Sequence, residues 1–123
     1  MEVLLDTNFI ISCVKKRIDF FSSLEELGFK VIVPREVFQE MKDLKATGKI
    51  SKEEKTAIEV ALMLLDDKKV NKKRVGGKYV DEGLIAKGKE GVFIATLDKE
   101  ILREIPNAIV IRSASKDLEI VRK

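Results

Sequence analysis

At 123 residues the chain has the length of one domain with a real hydrophobic core, so residues 1–123 are read as a single unit. Hydrophobic residues make up 45% and charged residues 37%, which excludes a disordered chain, and no apolar run approaches the roughly 18 residues of a membrane span. The lone Cys13 excludes an internal disulfide, and the absence of histidine removes His-based triads and the usual zinc ligands. Catalysis therefore has to come from carboxylates, hydroxyls, amines or a hard metal. The net charge of +3 is small, and the heavy Lys and Glu usage resembles that of thermophile proteins. The start, MEVLLDTN, runs straight into a strand pattern without the marks of an export signal, so a soluble, cytoplasmic protein is expected.

Val3 to Leu5 read as a strand ending at Asp6, followed by a helix over Thr7 to Val14. Asp19 has the place of an N-cap for a second helix whose Phe20, Leu24 and Leu27 recur at helical spacing, and Gly28 stands where a C′ glycine belongs. Val31 to Val33 form the next strand. Pro34 stops it and opens a helix to about Leu44, since the missing N–H is not needed in a first turn. Ser51 and Glu54 have capping-box spacing ahead of a long helix to about Leu65. Asp67 to Lys78, polar and basic, reads mainly as loop, with at most a short strand near Val70. A helix from Tyr79, a strand at Val92 to Ala95, a short helix from Asp98 and a last strand at Ala108 to Ile111 complete the order. Apolar strands alternating with helices predict an α/β fold, a parallel sheet covered on both faces.

In such folds ligands bind outside the carboxyl ends of the strands. Asp6 and Asp98 stand there, with Asn8 and Thr96 close by. Each is equally a natural helix N-cap. Helical phase separates the remaining acids, at about 100° per residue. Asp81 points between Leu84 and Ile85, the buried side of its helix, whereas Glu82 points away. Glu40 lies on the margin of the Val37, Met41 and Leu44 stripe, with Glu36 and Asp43 farther round. Asp98 shares a face with Ile101, Leu102 and Ile105. A carboxylate aimed at the core is costly unless paired, protonated or bound to metal. An oxygen-only donor set suits Mg²⁺ or Mn²⁺, which points to phosphodiester hydrolysis. A solvated stripe edge for Glu40 and a helix-dipole partner for Asp81 are the bland alternatives.

Four segments together resemble the PIN-domain nucleases. LLDTNFII is similar to their first motif and puts its aspartate on Asp6. VPREVFQEM looks like the segment carrying their glutamate, here Glu40. YVDEGLIA resembles the third motif, with Asp81 and its neighbour Glu82. FIATLDKEIL is similar to the T-x-D motif, here Thr96 and Asp98. Two positions depart from the pattern: Leu97 stands where many members have Asn, and Gly83 weakens the helix just after the third motif. The resemblance implies a three-layer α/β/α domain with about five parallel strands in the order 3-2-1-4-5. It also implies Mg²⁺- or Mn²⁺-dependent cleavage of single-stranded RNA, in RNA processing or as the toxin of a toxin–antitoxin pair.

Lys68, Lys69, Lys72, Lys73, Arg74 and Lys78 crowd the segment before Asp81. Lys72, Lys73, Arg74 and Lys78 are candidates for holding an RNA backbone, against the plainer reading of a solvated loop. The helix from Ser51 is apolar around most of its circumference. Leu62 and Met63 are expected to point away from the side defined by Ala57, Ala61 and Leu64, which predicts a homodimer. An antitoxin or a ribosome-assembly partner would fit the two cellular roles. Two competing functions are a non-catalytic RNA-binding or assembly protein that keeps the fold, and a phosphatase with Asp6 as nucleophile. The second is disfavoured because Asn8 occupies the place of that mechanism's second aspartate.

Overall fold

The computed structural model describes residues 1–112 and 114–123. In chain order the elements are β1 (Glu2–Leu5), α1 (Thr7–Lys15), α2 (Phe20–Glu26), β2 (Lys30–Pro34), α3 (Arg35–Thr47) and α4 (Lys52–Asp67). They continue with β3 (Asn71–Lys73), α5 (Val80–Lys89), β4 (Phe93–Ala95), α6 (Lys99–Glu104), β5 (Asn107–Arg112) and β6 (Asp117–Arg122). The sheet runs β3-β2-β1-β4-β5-β6, parallel except for β6, which is antiparallel to β5. The expected order 3-2-1-4-5 is therefore present, with one strand added.

Strand alternation sets the layers. Successive side chains leave a strand on opposite faces, and register aligns the short apolar runs across the sheet. Val3, Leu5, Val31, Val33, Phe93, Ala95 and Ile109 fall on one face and pack with α1, α2, α3 and α4. Leu4, Ile32, Ile94 and Ala108 fall on the other, against Leu84 of α5, Ile101 of α6 and Ile105. Strands buried on both faces have no room for polar residues, hence their continuous apolar sequence.

The caps fall where the sequence places them. Asp19 accepts the Ser22 N–H at 3.1 Å, Ser51 accepts that of Glu54 at 3.1 Å, and Gly28 adopts φ 91° after α2. α3 extends beyond Leu44 to Thr47 before Gly48 ends it. Cys13 is buried, and that burial pushes its thiol up to about 12, the charge of Lys16 only partly opposing it, so it is inert packing.

β3 is the short strand allowed near Val70 in the segment read mainly as loop; all its side chains are exposed, and it pairs because Ile32, Val33 and Pro34 of β2 offer a free edge. Two expectations change. Ala108–Ile111 is not the last strand: β6 pairs along the whole of β5, and its Leu118 and Ile120, on either side of Glu119, pack on the larger core. β6 thus covers an edge that would otherwise stand open. The phase of α4 also differs. Ala57, Ile58, Ala61 and Leu65 are buried and Leu62 is packed partly against the core, so Val60, Met63 and Leu64 form the exposed face. Ala57 and Ala61 belong to the packed side, as read from the sequence, where α4 lies on α1 and α3.

Candidate functional site

The sequence β1, β2, β3 proceeds toward one edge with its helices on one face; after β3 the chain returns to the other side of β1 and places α5 and α6 on the opposite face. The order therefore reverses between β1 and β4. A crevice opens at such a point outside the carboxyl ends of the strands. Asp6 leaves β1 there, and Thr96 and Asp98 leave β4 beside it. The Asp6 N–H donates to Ala95 O at 2.9 Å, which ties the two strand ends together.

Asp6 is 6% exposed. One carboxylate oxygen caps α1 by accepting the Thr7 N–H at 2.9 Å, and the other accepts the Thr96 hydroxyl at 2.9 Å. The Thr96 oxygen in turn accepts the Asp98 N–H at 3.1 Å, and Asp98 caps α6 through the Glu100 N–H at 2.8 Å. Both acids are therefore the helix caps that the plain reading expects, and a fully buried threonine joins them. Burial raises the Asp6 carboxyl from its ordinary 3.8 to about 6; the hydrogen bonds from Thr96 and Thr7 oppose the rise, and the charges of Asp81 and Glu40 add to it.

Asp81 stands in the first turn of α5. It is exposed rather than turned into the core, which corrects the inward phase expected from sequence. Tyr79 rather than an earlier residue caps the helix, so its first turn lies at the rim of the crevice. The Asp81 carboxyl is nonetheless raised, by partial desolvation and then by the charge of Asp98. Glu82 folds back to accept the Lys78 N–H at 3.0 Å, a helix-starting contact that turns it from the acids. Glu40 is exposed on α3 and reaches Asp6 through charge alone. Asn8 is also exposed.

Sequence reasoning missed Glu36. Its carboxylate accepts the backbone N–H of Val75 at 3.1 Å and of Gly76 at 3.0 Å, clamping the segment before α5 onto α3. Partial burial pushes this carboxyl up, but its own N–H, the Gly76 and Val75 N–H groups and Arg74 together hold it below the ordinary range. Gly83 completes the junction. A Cβ there would stand 2.5 Å from Gly76 O and 2.6 Å from Val75 Cγ2, so the helix-weakening glycine is what lets the clamped segment lie on α5. A first-turn acid on α3 with a Gly-Gly pair before α5 was the available signal.

The four proposed basic residues do not act together. Lys72 and Arg74 line a cleft beside α3, Lys73 turns the other way and pairs with Glu2 at 3.1 Å, and the Lys78 ammonium lies 5.6 Å from the Tyr79 ring centre.

The donor set is all oxygen, and the carboxyls of Asp6 and Asp81 are raised in part by their acidic neighbours, a repulsion that a cation would relieve. The Thr7 hydroxyl beside Asp6 is buried without a hydrogen-bond partner. Among the described residues no three acidic or thiol side chains converge closely enough to enclose a bare ion. The arrangement therefore fits a hard cation that keeps several waters and takes one or two carboxylates directly.

Fold and crevice define the class: a doubly covered, mostly parallel α/β domain with two linked carboxylates, Asp6 and Asp98, at its switch point. Residues 3–112 match the family described as PIN like domain, and the chain belongs to that family. It is 28% identical over 109 residues to Ribonuclease VapC4 of Methanocaldococcus jannaschii, covering 85% of this chain and 82% of that protein. Its fold is similar to that of the PIN domain endonuclease Utp24, with a TM-score of 0.75, 22% identity, and coverage of 99% of this chain and 92% of the other.

Two measurements check this geometry. Because the folded Asp6 carboxyl is raised to about 6, its ionisation costs stability as pH rises through that value, up to about 3 kcal/mol for a shift of that size. In metal-free buffer Asp6→Asn should melt above wild type at pH 7.5, with the gain vanishing below pH 4. Added Mn²⁺ should stabilise the wild type and not the variant. Thr96→Val keeps the shape but leaves the Asp6 oxygen and the Asp98 N–H without their shared partner. It should cost about 1–3 kcal/mol in chemical denaturation, while Thr96→Ser should recover most of it.

Proposed function

We propose that the protein is an endoribonuclease that hydrolyses phosphodiester bonds of single-stranded RNA with Mg²⁺ or Mn²⁺ bound at Asp6, Glu40, Asp81 and Asp98. The observation that carries this reading is the Asp6 carboxylate at the end of the central strand, joined to Asp98 through Thr96 and raised first by its burial and then by the charges of Asp81 and Glu40. The name ribonuclease carried by the VapC4 relative supports it. The cation supplies Lewis acidity and a bound water of lowered pKa. Asp6 and Asp98 would hold it at the strand ends, with their positions set by the caps and by Thr96. Asp81 and Glu40, both exposed, would help hold it and would orient a water for attack on the phosphate. The oxygen set excludes soft-metal chemistry, and burial of Asp6 strengthens its pull on a cation.

The role is RNA processing in the cytoplasm, with the toxin role as its alternative, and a copurifying antitoxin would decide for the latter. No helix among the described residues is long and apolar enough to cross a membrane.

We also propose that the exposed Val60, Met63 and Leu64 face pairs with a second copy. Asp66, Asp67, Arg17 and Lys68 surround the hollows beside it and supply both signs of charge, as a self-complementary contact requires.

Incubated with single-stranded RNA, the protein should cleave with Mn²⁺ or Mg²⁺ and stop in chelator. Asp6→Asn and Asp98→Asn should each lower turnover at least about a hundredfold, on the scale of losing a charge-stabilising group. Asp81→Asn should be far more damaging than Glu82→Gln, since the latter keeps an acceptor for the Lys78 N–H. Binding without cleavage under every metal condition would replace this reading with that of a non-catalytic RNA-binding protein. Light scattering at tens of micromolar should give a dimer that Met63→Glu/Leu64→Glu dissociates; a wild-type monomer would refute the dimer alone.

A further inference from the structure

A cleft of about 370 Å³ opens beside α3, and four cations converge on it: Arg35 and Lys42 from the helix, Lys72 from β3 and Arg74 just after it. Strand alternation and helical spacing bring them together, since Lys72 and Arg74 are two residues apart on an extended strand end and Arg35 and Lys42 are two turns apart on α3. None of the four belongs to an ion pair among the described residues, whereas Lys15, Lys73, Lys87, Lys89, Arg103 and Arg112 all do. The one acid in the cleft wall, Glu36, has its carboxylate engaged by the Val75 and Gly76 N–H groups. Lys72 is held over the Phe38 ring at 4.5 Å, which fixes its ammonium at the cleft wall without neutralising it. Four cations against the single acid Glu36 leave the cleft net positive, so the arrangement is suited to a polyanion that enters from outside.

The position selects the polyanion. Glu36 and Gln39 line both this cleft and the neighbouring groove that holds Glu40, Lys78 and Tyr79, so the two hollows meet across one ridge of α3. β3 stands two strands from β1, roughly 10 Å by ordinary strand spacing, so the cleft is a short step along a single strand from Asp6. Tyr79, which lines that groove, is 63% exposed and carries an aromatic face of the kind on which an unpaired base stacks. We propose that this cleft is a phosphate subsite for the backbone of the same RNA strand whose scissile bond lies at the carboxylates. Arg35 and Lys42 contribute to it alongside Lys72 and Arg74, and Lys73 takes no part. This rests on the nuclease reading for the identity of the strand, but binding can be measured without cleavage.

The test is fluorescence anisotropy of a labelled single-stranded RNA in chelator over a range of salt. It compares wild type, Arg35→Gln/Lys42→Gln and the equal-charge control Lys73→Gln/Lys89→Gln. The first variant should bind about tenfold more weakly at low salt, with a log–log salt slope shallower by about 0.7 for each phosphate no longer neutralised. The control should stay within about twofold of wild type. Equal losses in both variants would reduce the effect to net charge and overturn the subsite, as would a wild type that does not bind RNA at low salt. Displacement of the RNA by a polyglutamate peptide at equal charge concentration would overturn it in favour of an acidic protein partner. If the protein cleaves, the Arg35→Gln/Lys42→Gln variant should raise KM with kcat unchanged. If it binds but never cleaves, the nuclease reading falls while the anisotropy still decides the subsite.

Discussion

A carboxylate buried at the end of the central strand is the constraint around which the rest is arranged. Leaving Asp6 without partners would cost several kcal/mol, so the fold surrounds it with donors: the α1 backbone on one side and the Thr96 hydroxyl on the other. These hydrogen bonds do not restore an ordinary acid, and the carboxyl stays raised. The Asp6 N–H bonded to Ala95 O locks β1 to β4 at the place where strand order reverses. The switch point is thus held in register by the same residue that makes it chemically distinctive.

The placement of Asp81 depends on a longer series of interactions. It belongs to a helix that starts after a basic segment with two adjacent glycines. Nothing local would fix its direction. Glu36 supplies an anchor from α3 by gripping Val75 and Gly76, Glu82 closes the first turn onto Lys78, and the missing side chain of Gly83 admits the segment against the helix. The result places Asp81 at the rim within reach of the Asp98 charge. The same clamp holds the one acid of the basic cleft wall, so positioning of the carboxylates and the make-up of the cleft share a cause.

Much of this is legible in the residues. Continuous apolar runs, Pro34, Gly28 and the caps at Asp19 and Ser51 give the element order, because each is a local preference that packing does not overturn. The four acids are recognisable because two follow strands and two sit in readable helical contexts. Helical phase fails where it is asked for more than a stripe. It turns Asp81 inward, but a first-turn residue is governed by where the helix is capped and anchored, which periodicity does not encode. It exchanges Leu62 and Leu64 in α4 because Val60 to Leu65 is apolar without a break and offers no polar position to orient it.

By itself, then, the sequence determined the α/β class, the parallel core and the absence of histidine chemistry, since composition and period are properties of the chain alone. Tertiary structure decided what depends on distant partners. β3 exists because β2 left an edge open, and β6 because β5 did. Thr96 became a bridge only when β4 settled beside β1. Lys72 and Lys73, neighbours of equal charge, were given opposite fates by the pleat of a strand whose existence hydropathy does not reveal. One lies over Phe38 in an open basic cleft and the other is paired with Glu2, because a side chain's direction follows from the pairing of its backbone.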